Sequence, residues 1–189
     1  MSEQSGLIYL TGFSGTGKTS VGRLVADVLN WDMFDTDELI GKRAGATIVD
    51  IFERGEGQFR KLEREVLEEV AQLDCAVVST GGGLPVDARN RRLMYDSGVT
   101  IRLTAHPKTI YLRLKEGSRE LDGDGRGLIR PMIQEEGSEA SVERIKKLLN
   151  ERERAYAEAD ATVDTELLTL KEAAVQVVEA WRCHVRTEA

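Results

Sequence analysis

The chain predicts an α/β fold, a parallel sheet with helices on both faces, and three observations carry that prediction. Five short apolar runs alternate with longer stretches in which apolar residues recur at helical spacing. Several of the runs are apolar throughout rather than at every second residue, which is the pattern of strands covered on both faces. The first run also leads through a glycine loop directly into a helical pattern, so that strand, loop and helix follow one another without a break.

The first strand is expected at Leu7–Thr11 and is followed by Gly12-Phe-Ser-Gly-Thr-Gly-Lys-Thr19. This is a G-x-x-x-x-G-K-[ST] P-loop in its proper context. Gly12, Gly15 and Gly17 let successive N–H groups turn inward, and the positive end of the next helix completes an anion cradle. Lys18 supplies a full charge for the β- and γ-phosphates, and the Thr19 hydroxyl can ligate Mg2+. Val21, Leu24, Val25, Val28 and Leu29 mark the helix, and Met33-Phe34-Asp35 reads as a second short strand. Asp35-Thr36-Asp37 then falls at a strand's C-terminal end, the ligand edge of open α/β sheets. One carboxylate there can face a metal and its waters and the other a substrate hydroxyl; alternatively Asp37 caps a helix over Glu38–Ala44.

Thr47-Ile-Val-Asp50 opens another helix, with Ile48, Ile51 and Phe52 as apolar contacts, and Gly55-Glu-Gly57 breaks it. A longer helix is expected from Gln58 to Leu73, with Phe59, Leu62, Val66, Val70 and Leu73 on one stripe. Arg60 stands in its first turn, against the helix dipole, so a partner is expected, with Glu63 placed to orient it; a solvated surface arginine is the competing reading. Ala76–Thr80 is the third strand and runs into Gly81-Gly82-Gly83, which implies either a close approach to the backbone or a turn needing positive φ. An amphipathic helix over Asp87–Ser97, a strand at Val99–Leu103 and a helix at Lys108–Lys115 follow. Segment 116–130 carries Gly117, Gly123, Gly125 and Gly127 and reads as a lid ending at Arg130-Pro131 or, alternatively, as a disordered insertion with an incidental arginine. In the helix from about Ser141 to Ala159, Val142, Ile145, Leu149, Arg152 and Tyr156 share a face, so Arg152 points inward and must meet an anion. Ala161–Asp164 is the fifth strand, and Thr169-Leu-Lys-Glu172 is a capping box for a C-terminal helix reaching about Arg186.

Composition narrows the partners. A chain of 189 residues, 41% hydrophobic and 31% charged, fits one soluble globular domain over 1–189. The net charge of -7 argues against a nucleic-acid partner and requires a local positive cluster for any anionic ligand. Cys75 and Cys183 show no metal spacing and read as reduced packing thiols of a cytoplasmic protein. The polar start, Met1–Gly6, shows no signal-peptide pattern, and no apolar run approaches membrane-spanning length.

The ordered set Gly12–Thr19, Asp35-Thr-Asp37, Phe59-Arg60 with Glu63, Gly81–Gly83, Arg130-Pro131 and Asn150-Glu-Arg-Glu-Arg-Ala-Tyr156 resembles the shikimate kinase family over nearly the whole chain. The resemblance implies a three-layer α/β/α, nucleoside monophosphate kinase-like fold with a five-stranded parallel sheet in the order 2-3-1-4-5, and phosphoryl transfer from ATP to the 3-hydroxyl of shikimate by a cytoplasmic monomer. It implies that Asp37 meets the accepting hydroxyl and that Arg60 and Arg152 clamp the shikimate carboxylate. Gly82 and Gly83 would lie against the ring hydroxyls, with Phe52 and Phe59 as pocket walls. Gly15, Thr16, Gly17, Lys18, Thr19 and Ser20 would hold the nucleotide, Lys18 and Arg130 the migrating phosphoryl group. Thr19 would ligate Mg2+, with Asp35 and Ser79 acting through water, and Arg113 and the region near Thr165 would form the adenine environment. The acidic lid is longer than the family's, Arg154-Ala155 stands where a proline is common, and the C-terminal helix extends beyond the usual core. The alternatives are another small-metabolite kinase, such as a gluconate kinase, or a catalytically silent nucleotide-binding relative.

Overall fold

The computed structural model describes residues 6–120 and 138–188. Five strands, β1 (Leu7–Thr11), β2 (Asp32–Asp35), β3 (Ala76–Ser79), β4 (Val99–Thr104) and β5 (Ala161–Asp164), form one sheet. All neighbours are parallel and the order is β2-β3-β1-β4-β5, as the resemblance implies. Between them run α1 (Lys18–Leu29), α2 (Thr36–Ala44), α3 (Ile48–Arg54), α4 (Glu56–Val70), α5 (Ala88–Ser97), α6 (Pro107–Glu120), α7 (Ser138–Tyr156) and α8 (Leu170–Glu188).

Alternation along β1 divides the core. Ile8 and Leu10 pack with Val21 and Val25 of α1 and with Val177 and Trp181 of α8. Leu7 and Tyr9 point the other way, onto Leu67 and Val70 of α4 and Met94 of α5. A third cluster joins Phe13 of the glycine loop to Ile110, Tyr111 and Leu114 of α6 and Ile145 of α7. The expected capping box at Thr169 and Glu172 is present, and the expected helix start at Thr47 is a capping box too, with Thr47 exchanging bonds with Asp50.

Several boundaries differ from the sequence expectation. α4 starts at Glu56 and takes Gly57 into its first turn, because the break lies at Gly55, whose φ of 132° no residue with a Cβ adopts readily. α6 continues to Glu120, so residues 116–120 are helix rather than the start of an irregular lid. A 3-10 turn over Leu84–Val86, not expected, follows the glycine triplet. The helix after β2 begins at Thr36 and its cap is Asp35, whose side chain accepts from the Asp37 and Glu38 N–H groups. Asp37 is therefore a first-turn residue and not the cap, because the extended backbone that an N-cap needs occurs at the last residue of the strand.

Trp181 is 3% exposed and meets Trp31 edge-on, with ring centroids 5.0 Å apart at 77°. It ties α8 to the turn between α1 and β2. Trp181→Ala should cost about 3–5 kcal/mol, read as a lower urea midpoint with an unchanged m-value; an unmoved midpoint would mean that α8 adds little to the core.

Candidate active site

The site is built at the C-terminal edge of the sheet. β1 ends in the glycine loop, where Gly12 has φ 125° and a Cβ would lie 2.3 Å from the Leu103 carbonyl oxygen. No residue other than glycine fits between this loop and β4. Gly17, with φ 97°, is the cap residue of α1, and no side chain caps that helix. The first N–H groups of a helix have no partner within it, and such an end binds anions. Lys18 is 8% exposed, and its Nζ donates to the carbonyls of Gly12 and Phe13, 3.0 Å each, so the ammonium group is folded back over the cradle.

The pairing of β2 with β3 sets Asp35 opposite Ser79. With Thr19 they form a set of hard oxygen donors: the Thr19 hydroxyl donates to Asp35 Oδ2 at 2.7 Å and lies 3.2 Å from Ser79 Oγ. Asp35 serves two elements, since Oδ1 caps α2 while Oδ2 faces Thr19. No group of three or more His, Cys, Asp or Glu placed to hold a metal ion occurs among the described residues. A few oxygens beside a phosphate cradle suit an ion that keeps most of its waters and takes ligands from substrate phosphates, the habit of Mg2+.

A cleft of about 960 Å³ opens over these groups. Gly15, Thr16, Gly17, Lys18, Thr19 and Ser20 line it, as do Asp35, Asp37, Ser79 and Gly82. Arg113 lines its far side, where the guanidinium donates to the Thr165 hydroxyl at 2.9 Å and carbonyl at 2.8 Å. Arg60, Arg152, Phe52, Phe59 and Gly83 are not among the lining residues of this cleft; Arg60 and Arg152 instead approach Gly83 and Gly82 of the glycine triplet.

That triplet joins the two regions by close approach and not by positive φ, for none of Gly81, Gly82 and Gly83 has it. A Cβ on Gly81 would lie 2.5 Å from Asp37 Oδ1, one on Gly82 3.3 Å from the Ser14 backbone nitrogen, and one on Gly83 3.0 Å from Arg60 Nη1. Three consecutive residues thus meet the acid, the phosphate loop and a guanidinium in turn. Arg152 reaches the same place from α7: its Nη1 donates to the Gly82 carbonyl at 3.1 Å, and its guanidinium lies over the Phe13 ring, 5.6 Å from the centroid.

Arg60 has the partner its position demands. Nη1 donates to Glu63 Oε2 at 2.9 Å, Nη2 to Glu56 Oε1 at 3.2 Å, and the group stands 5.3 Å from the Phe59 ring centroid. Phe59 in turn stacks on Phe52, with centroids 4.2 Å apart; Phe52 is exposed and Phe59 buried. Burial draws the Arg60 pKa down, but Glu63 and Glu56 outweigh it and hold it above the ordinary arginine value. Arg130, assigned to the migrating phosphoryl group by resemblance, and Pro131 lie outside the described residues.

Two contributors were not read from sequence. Thr36 was assigned no role, yet its hydroxyl accepts from the Gly81 N–H at 2.8 Å and anchors the start of the triplet. Phe13, which carries Arg152, did leave a signal: it is an apolar residue in an otherwise small and polar loop.

A phosphate cradle after the first strand of a 2-3-1-4-5 sheet, with an acid after β2, defines a small P-loop kinase. The family model described as Shikimate kinase matches residues 14–182. A shikimate kinase from Caldanaerobacter subterraneus subsp. tengcongensis is 40% identical over 175 residues, 92% of this chain and 95% of its own. One from Geobacter sulfurreducens is 39% identical over 178 residues, 94% and 91% of the two chains. The solved structure of a shikimate kinase from Acinetobacter baumannii in complex with shikimate superposes with a TM-score of 0.83 at 30% identity, covering 96% of each chain. The chain belongs to the shikimate kinase family.

Glu63 supplies a pH-dependent signature. Its side chain is 2% exposed, and burial pushes its carboxyl above the ordinary glutamate range; Arg60 opposes this, while Asp37 and Asp87 add to it. The folded protein therefore holds the Glu63 proton more tightly than the unfolded chain. This group's contribution to stability falls as pH rises from the ordinary glutamate value through the raised native one. Glu63→Gln should flatten the slope of stability against pH across that window in urea melts; an unchanged slope would assign the bound proton to another group.

Proposed function

We propose that this chain transfers the γ-phosphoryl group of ATP to the 3-hydroxyl of shikimate, giving shikimate 3-phosphate and ADP. Family membership supports the reaction class, and one observation carries the site: Gly81, Gly82 and Gly83 meet Asp37, the phosphate loop and Arg60 in succession. An acceptor lying along that backbone has a carboxylate oxygen on one side for its hydroxyl and guanidinium groups on the other for its own carboxylate. Phe52 and Phe59 wall the ring, and Gly82 and Gly83 admit it close to the main chain.

Phosphoryl transfer through a loose transition state depends on alignment and charge stabilisation more than on a strong base. The loop amides and Lys18 hold the phosphates and stabilise charge on the equatorial oxygens as it moves. Asp37 orients the accepting hydroxyl and takes its proton as the bond to phosphorus forms. Arg60 and Arg152 hold the acceptor's carboxylate and so fix which hydroxyl faces the nucleotide. Arg113, pinned on Thr165, borders the nucleotide's base. Thr19, with Asp35 and Ser79 through water, would hold Mg2+, which would supply positive charge to offset that of the phosphates. Arg130 is assigned to the same phosphates by resemblance alone. We place the enzyme in the cytoplasm as a one-domain monomer without a nucleic-acid partner, in keeping with its net charge of -7; no described helix is long and apolar enough to cross a membrane.

Coupled ADP release should depend on shikimate and not on gluconate or a nucleoside monophosphate; release driven equally by gluconate, or ATP binding with no acceptor-dependent release, would refute the assignment. In the same assay Asp37→Asn should lower kcat by about 100-fold or more, and Arg152→Gln should raise the shikimate KM by about tenfold or more. Near-normal turnover in the first, or normal saturation in the second, would remove that residue's role.

A further inference from the structure

The Gly82 carbonyl oxygen receives two donors from one face of α7. Arg152 Nη1 lies 3.1 Å away and the Tyr156 hydroxyl 2.6 Å, the shorter of the two. The residues are one helical turn apart, so both side chains reach the same atom. They differ in freedom. Tyr156 is 1% exposed, and its ring lies under the Arg102 guanidinium, 5.4 Å from the ring centroid. Arg102 in turn grips Glu153, on the same turn of α7, through two bonds of 2.8 and 2.6 Å. Arg152 is half-buried and ends in the region assigned to the acceptor's carboxylate.

We infer that Tyr156 is a positioning residue for acceptor binding: by holding the Gly82 carbonyl itself, it lets the Arg152 guanidinium leave that carbonyl for a carboxylate ligand. A partly buried carbonyl needs at least one donor. With the hydroxyl in place, turning Arg152 toward a ligand loses a second bond to an oxygen that keeps its first. Without the hydroxyl, the same movement strips the oxygen of both side-chain donors, and that cost is subtracted from acceptor binding. The hydroxyl remains a donor at neutral pH, because burial raises its pKa against the weaker opposing pull of Arg152 and Arg102.

The inference rests on the reading of Arg152 as a carboxylate ligand, and a double-mutant cycle separates the two. Tyr156→Phe removes one oxygen atom and should raise the shikimate KM by about tenfold while kcat and the KM for ATP stay within about twofold. In an Arg152→Gln background no guanidinium remains to be released, so the same change should add less than about twofold. An unchanged shikimate KM in Tyr156→Phe, an equal rise in both backgrounds, or a parallel loss of kcat and ATP affinity overturns the inference and leaves the Arg152 reading standing. An unchanged KM in Arg152→Gln alone overturns both. Should Tyr156→Phe not fold, Glu153→Gln loosens the seat of the tyrosine from outside. It should give a rise of about threefold that disappears in the Arg152→Gln background; no rise, or an equal one in both, overturns the inference.

Discussion

Residues 81–83 run through a space that Asp37, the phosphate loop and Arg60 all need. Each of the three positions would put a Cβ within about van der Waals contact or less of one of them. Side chains there would push the acid, the loop and the guanidinium apart. The backbone is also held from outside: the Thr36 hydroxyl accepts the Gly81 N–H, and α7 supplies two donors to the Gly82 carbonyl. A flexible sequence is thereby kept in one path, and the groups around it inherit its position.

The sheet makes this possible through register. β2 and β3 end level with one another, with Asp35 paired to Ser79, and β1 runs one residue further, its Leu10 also paired to Ser79. Ser79 brings its hydroxyl to the Asp35–Thr19 pair because β2 and β3 end together. Asp35 then closes one arrangement with its two oxygens: one caps α2, the other receives the Thr19 hydroxyl. Helix start and hard-oxygen set cannot shift independently, so the Asp37 side chain, two residues on, has a defined origin.

Charge is placed against the balance of the whole molecule. A chain with a net charge of -7 repels anions at long range, and only a local cluster reverses that. Lys18, Arg60 and Arg152 provide it, each anchored differently: by loop carbonyls, by two glutamates, and by a carbonyl with an aromatic ring beneath. Glu63 keeps Arg60 in place but is itself buried, which is why its proton is held more tightly than usual. Arg60 thus carries anionic partners that steady it, whereas Arg152 is steadied by a neutral carbonyl and an aromatic ring.

Sequence alone determined whatever depends on near neighbours. The five strands, the phosphate loop, the helix start at Thr47, the capping box at Thr169 and the inward side of Arg152 follow from spacings of two to eight residues, and the backbone geometry that enforces them is local. The order of the sheet came from resemblance to a family, since periodicity does not say which strand lies beside which. Tertiary structure decided which aspartate caps α2, why three glycines stand in a row, and what Thr36, Phe13 and Tyr156 do. The bond from Thr36 to Gly81 joins residues 45 apart, and those from Arg152 and Tyr156 to Gly82 join residues 70 and 74 apart. Contacts at such separations leave no period in the chain, because they exist only once the strands have brought their ends to one edge.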